Sequence, residues 1–178
     1  MIFKGTHCHL SEDDIEMIKV QAALRWQDNE RKGHKYTAYK KKTKQEAEED
    51  TFGAEVAFCR LFDVEPDMTI GSYLPYDAIY RGVTIDVKQM DYFSGGMHKK
   101  IKENDQNEKY PQAYVQIAGR FPFFVYNGCV RMEALILEAN RVPGAQEGWA
   151  SYYSLAQRYF LDLDVVVDEI LGEIDEKF

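Results

Sequence analysis

The run Leu74-Pro75-Tyr76-Asp77-Ala78-Ile79-Tyr80-Arg81-Gly82-Val83-Thr84-Ile85-Asp86-Val87-Lys88-Gln89 constrains the fold more than any other part of the chain. Arg81-Gly82 reads as the two-residue loop of a β-hairpin, because β-branched and aromatic residues flank it on both sides. With that loop, Tyr80 pairs with Val83, Ile79 with Thr84, Ala78 with Ile85 and Asp77 with Asp86. Directly opposed residues keep their Cβ atoms roughly 4.5–5.5 Å apart, so two like charges there destabilise the sheet unless something positive lies between them. Alternation along the second strand sets Asp86 and Lys88 on one face and Val83, Ile85 and Val87 on the other. A divalent cation held by Asp77 and Asp86, with Lys88 beside it, is the simplest resolution.

A third acid comes from upstream. The spacing predicts a helix over roughly Lys44 to Phe62, and Glu55 lies on its apolar side. Its neighbours at i−3, i+3, i+4 and i+7 are Phe52, Phe58, Cys59 and Phe62. A carboxylate aimed into such a face is costly without a partner. A metal shared with Asp77 and Asp86 supplies one.

Glu55, then Pro75-Tyr76-Asp77, then Asp86-Val87-Lys88 resembles the signature of the PD-(D/E)XK nuclease superfamily, of phage or mobile-element type. Tyr76 stands between the proline and the aspartate of its first half. The resemblance covers about Asp50 to Leu137 and implies an α/β fold with a restriction-endonuclease-like core, a central mixed β-sheet flanked by helices. It implies a catalytic set of Glu55, Asp77, Asp86 and Lys88, with Gln89 at a position where relatives often carry a polar active-site residue. The metal ligands would be Glu55, Asp77, Asp86 and the carbonyl of Val87. Oxygen donors of this kind suit Mg²⁺, with Mn²⁺ as a substitute. The implied activity is metal-dependent hydrolysis of DNA phosphodiesters, by an endonuclease acting in DNA processing, recombination or repair; RNA stays open as a substrate. Lys88 would orient or help deprotonate the attacking water. Cutting both strands would call for a homodimer.

Composition sets the frame for this reading. With 178 residues, 45% of them hydrophobic, the chain is long enough for one domain with a real core. Its expected organisation is an N-terminal helical and basic segment over 1–44, a catalytic core over 45–137 and a helical extension over 138–178. Three cysteines, Cys8, Cys59 and Cys129, form no framework and suggest a reducing compartment. The absence of a long apolar segment points the same way, to the cytoplasm of a bacterial or phage-infected cell and not to a membrane. The net charge of −8 argues against broad nonspecific nucleic-acid binding, but it is unevenly spread. Lys40, Lys41, Lys42 and Lys44, near Tyr36 and Tyr39, and Lys99 and Lys100, after Gly95-Gly96, are the candidates for a phosphate backbone. The alternative is a noncatalytic nucleic-acid-binding or structural protein that retains the nuclease fold.

The remaining pattern supplies the rest of the architecture. Ser11 reads as the N-cap of a helix to about Glu30, with Ile15, Ile18, Ala22 and Trp26 inward. His7-Cys8-His9 reads as a terminal strand rather than half of a zinc site. A polar stretch from Asp91 to Lys109 reads as a surface loop. Ala113 to Ala118 is a strand broken by Gly119-Arg120-Phe121-Pro122. Phe123 to Tyr126 is then expected to pair through an Asn127-Gly128 turn with Cys129 to Met132. Leu161 to Glu176 is a helix with Leu163, Val166, Val167, Ile170, Leu171 and Ile174 inward.

Overall fold

A computed structural model of the chain describes residues 2–33, 42–71, 74–92, 96–100, 110–137, 140–142 and 152–175. The elements in chain order are β1 (His7–His9), α1 (Glu12–Arg31), α2 (Lys44–Phe62), β2 (Ala78–Tyr80), β3 (Val83–Met90) and β4 (Met97–Lys100). They continue with β5 (Ala113–Arg120), β6 (Phe123–Arg131), α3 (Met132–Leu135), β7 (Arg141–Val142), β8 (Tyr152–Leu155) and α4 (Leu163–Asp175). The main sheet has five strands in the order β1-β6-β5-β3-β2. It is mixed, because β3 and β5 run parallel while the other pairs are antiparallel. No described helix is long and apolar enough to cross a membrane.

Both long helices begin where local chemistry dictates. Ser11 caps α1 with a reciprocal bond to Asp14, and Thr43 caps α2 in the same way with Glu46. One face of the sheet packs on α2 and α4. There Ala57, Phe58 and Phe62 meet Val83, Ile85, Val87, Val115 and Ile117, and α4 adds Leu163, Val166, Val167 and Ile170. All three cysteines are free and buried.

The opposite face of the sheet is covered by a second, three-stranded sheet in the order β4-β8-β7. Met97 and Leu155 from this small sheet pack with Tyr114, Val130, Leu135 and Phe160. The stretch read as one surface loop from Asp91 to Lys109 therefore contributes a strand, anchored by a buried Met97. Of that stretch, residues 93–95 and 101–109 lie outside the described residues.

The hairpin around Arg81-Gly82 forms in the expected register, with Ala78↔Ile85, Ile79↔Thr84 and Tyr80↔Val83. Both loop residues have positive φ, 51° at Arg81 and 85° at Gly82, as a type I′ turn requires. Asn127-Gly128, by contrast, is not a turn. β6 runs straight through it, and the chain reverses instead at Phe121-Pro122, between β5 and β6. Asn127 is a β-bulge: Gln116 pairs with Gly128 and Ile117 with Tyr126, which leaves Asn127 opposite no residue. The same positive-φ preference that makes Asn-Gly a turn former serves the bulge, where Gly128 has φ 118°. A Cβ at Gly128 would stand 2.7 Å from Phe160 Cβ and 2.9 Å from Lys4 Cδ. Gly128→Ala is therefore expected to cost about 2 kcal/mol and to lower Tm by about 6 °C. An unchanged melting curve would contradict the bulge.

Candidate active site

The site lies where the β2–β3 ladder runs out. Pairing stops at Ala78↔Ile85, so Asp77 does not sit opposite Asp86 as a ladder pair. Its backbone N–H instead reaches the Ile85 carbonyl at 2.8 Å. With β2 ended, the Val87 N–H on β3 is accepted by Asp77 Oδ2 at 2.6 Å. The short edge strand thus turns a carboxylate against the backbone of the strand that carries Asp86 and Lys88. Asp86 is buried, at 6% exposure, and Lys88 Nζ folds back onto Asp86 Oδ1 in a close ion pair. Lys88 Nζ also lies 6.0 Å from the centre of the Tyr114 ring on β5.

Glu55 approaches from α2. Its Oε2 accepts from Arg25 Nη1 at 2.8 Å, with side-chain exposures of 13% and 20%. Arg25 was not among the residues singled out from sequence. Its signal was there: it follows Ala22 by three and Ile18 by seven, on the buried stripe of α1, where a charged residue needs a buried partner. Arg25 is further fixed by a 3.0 Å bond from Nη2 to the Asp67 carbonyl and by the Phe52 ring, 4.0 Å from its guanidinium carbon. A cavity of about 200 Å³ opens beside these groups, lined in part by Arg25, Asn29, Lys32, Glu48, Glu55 and Asp77.

The acids act on one another. Burial first, then the charges of Glu55 and Asp86, push the Asp77 carboxyl up to about 8. Burial and the neighbouring Asp86 also raise Glu55, against the pull of Arg25 and Lys88. These carboxylates lie near enough to feel one another's charge, with Arg25 set on Glu55 and Lys88 on Asp86, and they are hard oxygen donors. Among the described residues no three His, Cys, Asp or Glu side chains stand close enough together to ligate one ion. Mg²⁺ does not require three: it is commonly held by one or two carboxylates, with water and substrate phosphate completing its shell. Asp77 and Asp86 fit that role, and Glu55 is engaged by Arg25.

A pH signature follows. An aspartate in the unfolded chain releases its proton near 3.9, whereas folded Asp77 keeps it to about 8. The folded state therefore binds more protons, and stability falls as pH climbs from about 4 to about 8. In EDTA, Tm is expected to drop across that window; Mn²⁺ should restore it, more at the alkaline end. Identical melting curves in EDTA and Mn²⁺ across the window would contradict a cation site.

The other candidates are placed differently. Gln89 points away from the Asp86–Lys88 face, donating to the Gly119 carbonyl at 2.6 Å and to Asp91 Oδ1 at 3.3 Å. That follows from alternation, which sets it on the side of Val87. Lys42 is bound inside the protein, between Asp50 Oδ2 at 2.7 Å and Asp91 Oδ1 at 2.5 Å, and is only 18% exposed. Lys44 is half-exposed, 3.7 Å from Glu30 and with its Nζ 4.3 Å from the centre of the Trp26 ring. Lys99 and Lys100 lie in β4, opposite Tyr153 and Tyr152. Lys40 and Lys41 lie outside the described residues.

No protein-family model, curated protein or solved structure matches this chain.

Proposed function

We propose that the protein is a metal-dependent nuclease with a restriction-endonuclease-like core, hydrolysing phosphodiester bonds in DNA. The observation that carries this reading is the meeting of Glu55 from α2, Asp77 from the end of the edge strand, and Asp86 and Lys88 from β3. An exposed hairpin face would leave its acids in water; here Asp86 is buried, and burial together with the Asp86 charge holds Asp77 and Glu55 above the ordinary carboxylate range.

A bound Mg²⁺ or Mn²⁺ supplies Lewis acidity, lowering the pKa of water and offsetting charge that builds on the phosphoryl oxygens. Asp77 and Asp86 would hold the ion. Val87 presents its carbonyl from the same stretch of β3, with its N–H fixed by Asp77. Lys88, set against Asp86, orients the attacking water and offsets negative charge as the bond to phosphorus forms and the bond to the sugar oxygen breaks. Arg25 keeps Glu55 oriented toward this centre.

The reading expects cleavage of linear, circular single-stranded and circular duplex DNA to depend on Mg²⁺ and to cease in EDTA. Attack on closed circles marks an endonuclease. Folded wild-type protein that leaves all three substrates, and RNA, intact would overturn the reading in favour of a binding role.

A further inference from the structure

Arg25 brings a second positive charge, besides that of Lys88, to the acids of the site. It comes from α1, outside the hairpin and the helix that carry the other groups. Its Nη1 donates to Glu55 Oε2 at 2.8 Å and its Nη2 to the Asp67 carbonyl at 3.0 Å. The Phe52 ring lies 4.0 Å from the guanidinium carbon, so the group is held at both terminal nitrogens and over one face. Arg25, Glu55 and Asp77 line one cavity of about 200 Å³. Glu55 also lies near enough to Asp86 and Lys88 to feel their charges.

This pair bears on how many cations the centre can take. Glu55 has one oxygen already engaged, on a side chain only 13% exposed. An ion on its other oxygen would stand close to a guanidinium that does not give up its proton, and the two would repel. Among the described residues, Glu55, Asp77 and Asp86 do not come close enough together to share one ion. A largely buried ion pair is also a poor way to join two helices, since well-packed apolar side chains of similar volume hold them at least as firmly.

We propose that Arg25 stands in place of a second metal ion: the centre takes one divalent cation, at Asp77 and Asp86, and the guanidinium supplies a fixed positive charge beside Glu55. The proposal rests on the nuclease reading. Enzymes with two metal ions use the pair to offset charge on the attacking and leaving oxygens of a phosphodiester. Here one of those charges belongs to the fold, at a position set by Phe52 and the Asp67 carbonyl. Arg25 moves no proton and forms no bond. It keeps Glu55 from a second ion and contributes its charge to the field around the reacting phosphate.

Counting bound Mn²⁺ through the paramagnetic resonance signal of the free ion tests this without any turnover. Wild type should take up one Mn²⁺ per chain at saturation. Arg25→Met frees the Glu55 carboxylate and should take up two. Arg25→Met/Glu55→Gln removes both charges at once and leaves the net charge unchanged. It should return to one ion, bound within about threefold of the wild-type affinity. Two Mn²⁺ on the wild type, or only one on folded Arg25→Met, would overturn the proposal. Should Arg25→Met fail to fold, Mn²⁺ affinity weakened at least about tenfold in the double variant would overturn it, by making Glu55 a ligand. Two bound ions with metal-dependent DNA cleavage would sink the role of Arg25 alone. Wild type that binds no Mn²⁺ and cuts neither DNA nor RNA would instead sink the nuclease reading, and the role of Arg25 with it.

Discussion

Asp86→Asn is expected to lower metal-dependent cleavage on the order of 10³-fold without unfolding the protein. The two effects separate because the Asp86 charge opposes those of its neighbouring acids. Its charge adds to the forces that hold Asp77 and Glu55 above their ordinary carboxylate range. Neutralising it relieves both, and the close pair with Lys88 that is lost leaves that lysine 35% exposed to water. Tm in EDTA should therefore be no lower than in wild type, and the stabilisation by Mn²⁺ should vanish together with the activity. Wild-type cleavage by Asp86→Asn would remove Asp86 from the chemistry; a collapse of Tm in EDTA would make it a structural residue.

The second large effect lies away from the acids. Asp50, 5% exposed, joins three parts of the chain: Oδ2 takes Lys42 Nζ at 2.7 Å, and Oδ1 accepts the Phe121 N–H at 2.7 Å. Lys42 continues to Asp91, which also receives Arg120 at 2.9 Å. Asp50→Ala removes one of the two carboxylates that hold the Lys42 ammonium and leaves the Phe121 N–H without its acceptor, at a cost of about 4 kcal/mol. Tm should fall by about 12 °C. Asp50→Asn keeps an acceptor for Phe121 and should fall by less. Equal losses in the two variants would show that the Phe121 bond contributes nothing.

This network also explains why the lysines were hard to read. A run of basic residues from Arg31 to Lys44 looks like a single surface, and nothing local separates one lysine from the next. Lys42 is set apart by partners 8 and 49 residues away. Arg25 was missed for a similar reason: its acid lies 30 residues on, in the next helix. Asn127-Gly128 misled because a positive-φ glycine serves a turn and a bulge alike, and the pairing of β6 with β5 along its whole length lies outside the dipeptide. What was legible rested on local physics. The Arg81-Gly82 turn demands its φ values and so sets the register of β2 on β3. The Ser11 cap and the apolar stripe of α4 follow from rules that operate within a turn or two. The inward Glu55 belongs to the same class, since helical spacing alone puts it among Phe52, Phe58 and Phe62. The detail that the hairpin rule could not supply is the end of the ladder at Ala78, which turns Asp77 from a cross-strand neighbour of Asp86 into a cap on Val87.

The most direct test of the account is the rate at which purified wild-type protein cuts a labelled DNA strand in Mn²⁺, measured beside Lys88→Ala at matched Tm. The account predicts cleavage by the wild type that stops in EDTA and is lost in the variant. Cleavage at the same rate by Lys88→Ala, or by the wild type in EDTA, would contradict it.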